Sequence, residues 1–478
     1  MKLYTKPLTK FNLLADFKNG KENKFFVFFA YLIALLPVVC ILFNCIFWCF
    51  GIDYRSIPFN TLDTYYIPFP ILFVISLAIY YLVKLFIDAF GQRKSKMQLD
   101  LDVVKFTKKY YEVWCLVLLL LLILIMPLIS GGVQAYGFFG KIGGVTRYQV
   151  GIPCFIYFAI CFFICFKIKD TKTRQNIIFL TIFSCFICCF ISFLDPFRKS
   201  YFHSIGNMWS SIFTNSNHFS YFLSIAMGLI ASQFCFCKDT KRSILWGILL
   251  AFISFCTFMA DTLGALLAIL ITYICLPIVF KICGKKVTIK HFIPLIIFVA
   301  MSFIAIPLAK PFNSTYTNFA KQIANMFKEI FSIFKAPTSS SNEKAGTNRW
   351  GLWLEALQVI KNYTFTGNGD VIHKPHNEFL ELASDFGIFA LLSYLACLVI
   401  ILIKAIKNRK KLSNFAIILL VSILCYVINS LFGNIMSNTF PFYLMLIAFC
   451  IREINNEENN LNTQGNIEKE TNETENTI

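Results

Sequence analysis

The chain has 478 residues, 57% of them hydrophobic and 15% charged, with a formal net charge of +18. Soluble globular domains run near 45–50% apolar and about 25% charged, so this composition excludes a secreted soluble enzyme, a disordered scaffold and a simple nucleic-acid binder. The 55 Phe and 20 Tyr place the excess in side chains that suit hydrocarbon and its interface, and the sequence reads as a polytopic membrane protein.

In chain order, residues 1–24 form a basic head, read as a cytoplasmic N-terminal segment. The first apolar run, Phe25–Phe50, is long and lacks an A-x-A cleavage signal, which makes it an anchor rather than a signal peptide. Further runs cover Tyr65–Ile87, Tyr111–Ile129, Val150–Phe166, Ile177–Leu194, His218–Phe236, Ile244–Met259, Leu263–Phe280 and Phe292–Leu308. The last three are Gly387–Ile403, Phe415–Ile428 and Thr439–Ile451. At about 20 apolar residues per crossing, the expectation is an all-α integral membrane bundle of about 12 transmembrane helices. Nine spans occupy 25–308 and three occupy 386–452, with a large extracytoplasmic loop, 309–385, between them and a disordered cytoplasmic tail at 453–478.

Orientation follows from Lys and Arg. They cluster at Arg93–Lys96, Lys105–Lys109, Lys167–Arg174, Lys238–Arg242, Lys281–Lys290 and Lys404–Lys411, in every second connection. The alternate connections are sparse, with Arg55, Lys141 and Arg147. Both termini are therefore expected in the cytoplasm. The 18 cysteines fall almost entirely inside apolar runs, as do Cys40, Cys45, Cys49, Cys185, Cys188 and Cys189. They read as small apolar core residues, and the CxxC-like pairs have no second pair at zinc-site spacing.

Two outer segments stand out. One runs from Asp195 to Asn217 and contains Arg198 and Lys199. The other is the long loop, and loops of that length inside a compact protein are usually functional or disordered. In it, Tyr316–Lys335 sets Phe319, Ile323, Phe327, Ile330 and Phe334 on one helical face. That pattern suits either a helix in the headgroup plane or one packed over the bundle. Ala336–Gly346 reads as a hinge, and a second helix starts near Thr347 or Asn348 and runs to about Asn362.

The chemistry concentrates in Asn348-Arg349-Trp350, Gly367-Asn368-Gly369-Asp370 and His376-Asn377-Glu378. Pro375 before His376 and the apolar Phe379-Leu380 reads as a helix opening. His376 in such a first turn meets a dipole that disfavours imidazolium, leaving a neutral ring able to accept a proton. Arg349 offers a fork matched to phosphate oxygens. Glu378 reads equally as a helix-start carboxylate, and His373 with Lys374 as an alternative active pair. From these residues alone the ligand is anionic, with acid/base work open.

The string Arg349-Trp350 … Glu355-Ala356 … Gly367-Asn368-Gly369 … His376-Asn377-Glu378-Phe379-Leu380 … Gly387 resembles the signature region of the O-antigen ligase and O-antigen polymerase family. Phe213-Thr214-Asn215-Ser216-Asn217-His218 resembles that family's Asn-x-Asn opening of a helix. The resemblance implies a glycosyltransferase that uses neither nucleotide sugar nor metal and no other cofactor. It would take a glycan from undecaprenyl diphosphate at the outer leaflet of the cytoplasmic membrane and move it to a hydroxyl of an acceptor glycan or lipid-linked glycan. Carried over, Arg349 would hold the diphosphate and His376 would serve the acceptor hydroxyl, these two being the catalytic residues. Asn217, Asp261, Lys374, Asn377 and Glu378 would line the substrate site. Where family members often carry Ser-Arg-Gly, this chain has Asp261-Thr262-Leu263-Gly264-Ala265. Leu263 thus stands in place of an Arg, and Arg198 or Lys199 are the first substitutes for it. Polymerase and ligase share this motif and differ only in acceptor. The other reading of the whole chain is a lipid-linked glycan flippase or other transporter, which predicts charged groups deep in the spans.

Overall fold

A computed structural model describes residues 23–51, 62, 65, 68–90, 109–129, 141–142, 145–146, 152–194, 209–213, 216–309, 349–368, 375–433 and 439–455. The expected headgroup helix, the hinge, the helix cap at Thr347 or Asn348 and most of the terminal tail lie outside these residues. So do Arg198, Lys199, His373 and Lys374.

The described chain is helical throughout, apart from a two-stranded antiparallel ladder that pairs Lys141 with Thr146 and Ile142 with Val145. That ladder is a small departure from the all-α expectation. The helices are α1 (Lys24–Cys49), α2 (Pro68–Phe90), α3 (Tyr111–Ile129), α4 (Ile152–Lys167), α5 (Thr171–Ile191), α6 (Ser216–Phe236), α7 (Thr240–Ala260), α8 (Leu263–Ile282) and α9 (Ile293–Ala309). After the long loop come α10 (Arg349–Asn362), α11 (Glu378–Phe386), α12 (Ile388–Lys407), α13 (Asn414–Ser430) and α14 (440–455). Among the described residues six helices, α1, α5, α6, α7, α8 and α12, are long and apolar enough to cross a membrane, and five more are apolar but shorter. Each of the twelve expected apolar runs coincides with a helix.

Several starts are set by local chemistry. Asp170, Asp239 and Ser413 cap α5, α7 and α13 by accepting from the backbone N–H groups of Thr173, Arg242 and Ala416. Asp261 takes a left-handed φ of 50° and ends α7, so the run around it is two helices and not one. The caps also move two boundaries. Asp170 starts α5 earlier than the apolar run suggests, which brings Arg174 into the helix and the core. Lys404, expected in a basic loop, lies inside α12 and is buried.

At the centre are α6 and α14, apolar on all sides and enclosed by other helices. Small residues bring α6 against α13: a Cβ on Gly228 would lie 2.6 Å from Ser422 Cα, and Ser422 Oγ donates to the Ile225 carbonyl at 2.8 Å. By contrast α2 leaves Ile71, Leu72, Val74, Ile75 and Ile79 exposed, as a lipid-facing helix would. The described cysteines are mostly buried.

One end of the bundle is closed by charge. The last turn of α14 reaches four other helices and the α12–α13 turn. Glu453 pairs with Arg174 of α5 and accepts from Thr171 Oγ1 (3.0 Å) and Ser413 Oγ (3.2 Å). Asn455 accepts from Lys404 Nζ of α12 (2.9 Å) and donates to Glu112 of α3 (2.7 Å), while Lys404 pairs with Glu112 at 2.8 Å. Arg452 donates to the Phe166 carbonyl of α4 (2.7 Å) and to the Tyr110 hydroxyl (3.2 Å). The helix therefore runs to residue 455, and the tail boundary expected at 453 falls inside this clasp. Gly387 and Lys404 sit at opposite ends of the 20-residue α12, so the motif region lies at the other end, about 25 Å away.

Candidate functional site

At the motif end, α10 closes with a turn at Tyr363–Thr366 and Gly367, whose φ is 65°. That turn crosses the junction between α11 and α12 backbone to backbone. Asn368 N–H donates to the Ser384 carbonyl and Ile388 N–H to the Thr364 carbonyl, both at 2.8 Å. A Cβ on Gly367 would overlap the Asp385 carbonyl, and one on Gly387 (φ 84°) the Phe365 carbonyl. Only glycine fits this crossing.

A second tie fixes α10 over the His376 turn: Trp353 Nε1 donates to the Pro375 carbonyl at 2.8 Å. Arg349 precedes Trp353 by one helical turn on the same face, so this bond brings Arg349 toward His376. The imidazole sits on a left-handed backbone, φ 49°, a conformation that histidine tolerates better than most side chains. Asn377 then caps α11, its Oδ1 accepting from Phe379 and Leu380 N–H at 3.1 Å each. Its Nδ2 donates to the Leu431 carbonyl at 3.1 Å. The Asn377 amide is thus committed to structure at both ends, where the sequence reading had it touching substrate.

The titratable groups immediately around this turn are basic ones. His376 is pushed down to about 4, first by burial and then by the neighbouring Arg349 and His218. Burial also lowers Arg349, opposed by its neighbour Tyr221. Beneath the turn the sign reverses. Glu378 is wholly buried, and neither of its carboxyl oxygens has a hydrogen-bond partner among the described residues. Burial and the adjacent Glu381 hold it well above the usual carboxylate range. Its carboxyl faces a floor of tyrosines, Tyr221, Tyr394, Tyr426 and Tyr443. Tyr426 and Tyr443 stack at 4.0 Å, and Tyr394 donates to the Tyr443 hydroxyl at 2.9 Å. In this conformation Glu378 has no exposed surface with which to meet a sugar, in contrast to its expected place in the lining.

The last turn of α13 joins these parts. The Tyr221 hydroxyl donates to the Asn429 carbonyl at 3.3 Å, and Asn429 Nδ2 donates to Ser224 Oγ at 3.0 Å. Gly433 lies flush on the Tyr221 ring, and a Cβ on Gly264 would stand 2.6 Å from Phe432. Gly264 follows Leu263, the first residue of α8, so the position where the family Arg would stand is packed beside this hub. Asp261 and Asn217 are both half-buried at the same end, at the C-cap of α7 and in the first turn of α6. Among the described residues no His, Cys, Asp or Glu side chains gather as a metal site would need.

Sequence reasoning did not single out His218 and Tyr221. Their spacing of three residues near the opening turn of α6 was the available signal.

A helical membrane protein with a basic pair, Arg and His, above a buried carboxyl at one end of its bundle is the class that fold and site define. Residues 248–395, from within α7 into α12, match the family model for O-antigen ligase. The match supports membership of the O-antigen ligase/polymerase family and contains Asp261, Arg349, His376, Asn377 and Glu378. A search of curated proteins found no match to the chain.

Proposed function

We propose that the protein is a multi-pass glycosyltransferase with about 12 crossings that moves a glycan from undecaprenyl diphosphate to a hydroxyl of an acceptor glycan. Both termini lie in the cytoplasm and the Arg349–His376 site faces outward, as the Lys and Arg distribution requires. One observation carries the reading: the Trp353–Pro375 bond brings a permanent cation beside an imidazole that is kept unprotonated.

The chemistry runs as a substitution at the anomeric carbon. The acceptor oxygen bonds to that carbon while the bond to the diphosphate oxygen breaks, and the bonding pair leaves with the diphosphate. Arg349 stabilises the negative charge that develops there. His376 takes the hydroxyl proton. An imidazole near 4 is a weak base, but it is depressed partly by Arg349. A diphosphate bound at Arg349 offsets that charge and raises the imidazole again, so the base strengthens when the donor is in place.

The test is a product assay in membranes containing the protein, supplied with undecaprenyl-diphosphate-linked repeat, wild type against His376→Ala. A ladder of lengths lost in the variant identifies a polymerase using His376, and a single unit added to a separate acceptor identifies a ligase. Glycan crossing the membrane with no new glycosidic bond, in both proteins, overturns the reading in favour of a transporter.

A further inference from the structure

We propose that Glu378 is a positioning residue for His376: a neutral carboxylic acid, seated on the tyrosine floor, that holds the Pro375–Asn377 turn in place. The proposal rests on the transferase reading for its consequence in activity, and on geometry for its substance.

Burying an ionised carboxylate without a partner is prohibitive, whereas a protonated one is a neutral hydrogen-bonding group. Glu378 is completely buried and has two carboxyl oxygens without partners. Beside it stands the Tyr426 hydroxyl, also buried and without a partner. These neighbouring groups are each other's complement, one O–H donor and one acceptor, provided that the acid keeps its proton.

The groups facing Glu378 give it no counter-charge. They are Tyr221 from α6, Tyr394 from α12, Tyr426 and Ser430 from α13, Tyr443 from α14, and Glu381 from its own helix. The half of α3 nearest this end is apolar. Arg349 and the carboxyls of Glu378 and Glu381 have Tyr221 as a common neighbour.

Glu378 is the first residue of α11, directly after the Asn377 cap and two positions from His376. Anchoring Glu378 to α13 anchors the cap and the left-handed histidine with it. Ionisation reverses this: a charged Glu378, next to Glu381, has to leave the floor for water and draws the turn upward. Glu378 acts through the turn and touches no reacting atom.

The experiment compares wild type, Glu378→Gln and Glu378→Leu in lipid nanodiscs, with hydrogen exchange at Phe379–Glu381 and transferase turnover both followed from pH 6 to pH 10. Glutamine keeps the shape and the donor but cannot ionise; leucine keeps the volume alone. We expect wild-type exchange, corrected for its intrinsic pH dependence, to rise at least tenfold at the alkaline end while Glu378→Gln stays flat and protected. Glu378→Leu should be open at every pH. Turnover should follow, with kcat down at least tenfold in Glu378→Leu, donor KM within threefold, and kcat rescued to near wild type by Glu378→Gln without the alkaline fall.

Exchange that is the same in wild type and Glu378→Gln across the range overturns the proposal, as does a Glu378→Gln segment as open as that of Glu378→Leu. The exchange readout needs no substrate. If wild type forms no glycosidic bond, the transferase reading fails while the exchange result still decides the role of Glu378.

Discussion

The two ends of this bundle treat buried charge in opposite ways. At the terminal end, Lys404, Glu112, Arg174 and Glu453 are buried, yet each has an oppositely charged partner and further hydrogen bonds. At the motif end, Arg349 helps to keep His376 unprotonated, and Glu378 has no counter-charge among the groups facing it. Paired charges fix a geometry, even where a single atom such as Arg174 Nε makes no hydrogen bond. Buried ionisable groups without a counter-charge cluster at functional sites, which is in keeping with the substrate end that we propose.

That contrast breaks most sharply in activity. Removing either group proposed as catalytic, His376→Ala or Arg349→Ala, should lower turnover by roughly 10²–10⁴ while thermal unfolding in detergent stays near wild type. Arg349→Lys should rescue little, because an ammonium cannot form the bidentate fork. At the terminal end the signature is reversed. Glu453→Ala or Lys404→Ala should cost about 3–5 kcal/mol by leaving an uncompensated buried charge, visible as loss of folded protein in a detergent melt. The double change Glu112→Leu with Lys404→Met should return most of that stability, since it removes both charges at once.

Gly387→Ala tests the crossing that aligns the two halves of the motif. It should destabilise by at least about 2 kcal/mol, through a positive φ and a backbone overlap together. The smaller effect of Asn377→Ala, about 1 kcal/mol for the lost cap, should show chiefly as raised exchange at Phe379 and Leu380.

Acidity sharpens the comparison further. His376 is lowered to about 4 in the fold against an ordinary 6.5. Between those values the unfolded chain binds more protons than the folded one, so stability falls as pH drops from about 6.5 towards 4 and is unaffected above. His376→Asn should flatten that slope. In kinetics, the acid limb of kcat/KM should lie near pH 4 and that of kcat higher, because bound diphosphate offsets Arg349.

Much of this was legible in the sequence because lipid imposes a simple rule: apolar residues in runs, basic residues between them. The twelve apolar runs were readable for that reason, and so was the Arg349–His376 motif, whose polar residues stand out after Gly and Pro. Boundaries were less legible where a cap overrode hydropathy, as Asp170 did in drawing Arg174 into α5. The site's depth was not legible at all. Glu378 reads as an ordinary helix-start carboxylate until Tyr221, Tyr394, Tyr426 and Tyr443, spread over four distant helices, are seen to close over it.

By itself, then, the sequence determined the membrane class, the helices and the residues from which the proposed site is built, because these depend on composition and on spacing along one strand of chain. Only the tertiary structure decided that a tryptophan bond would bring Arg349 to His376, that Asn377 would be spent on capping, and that Glu378 would be buried without a partner. Those outcomes depend on which helix ends meet, and the free energy of a charge is set by what surrounds it in space.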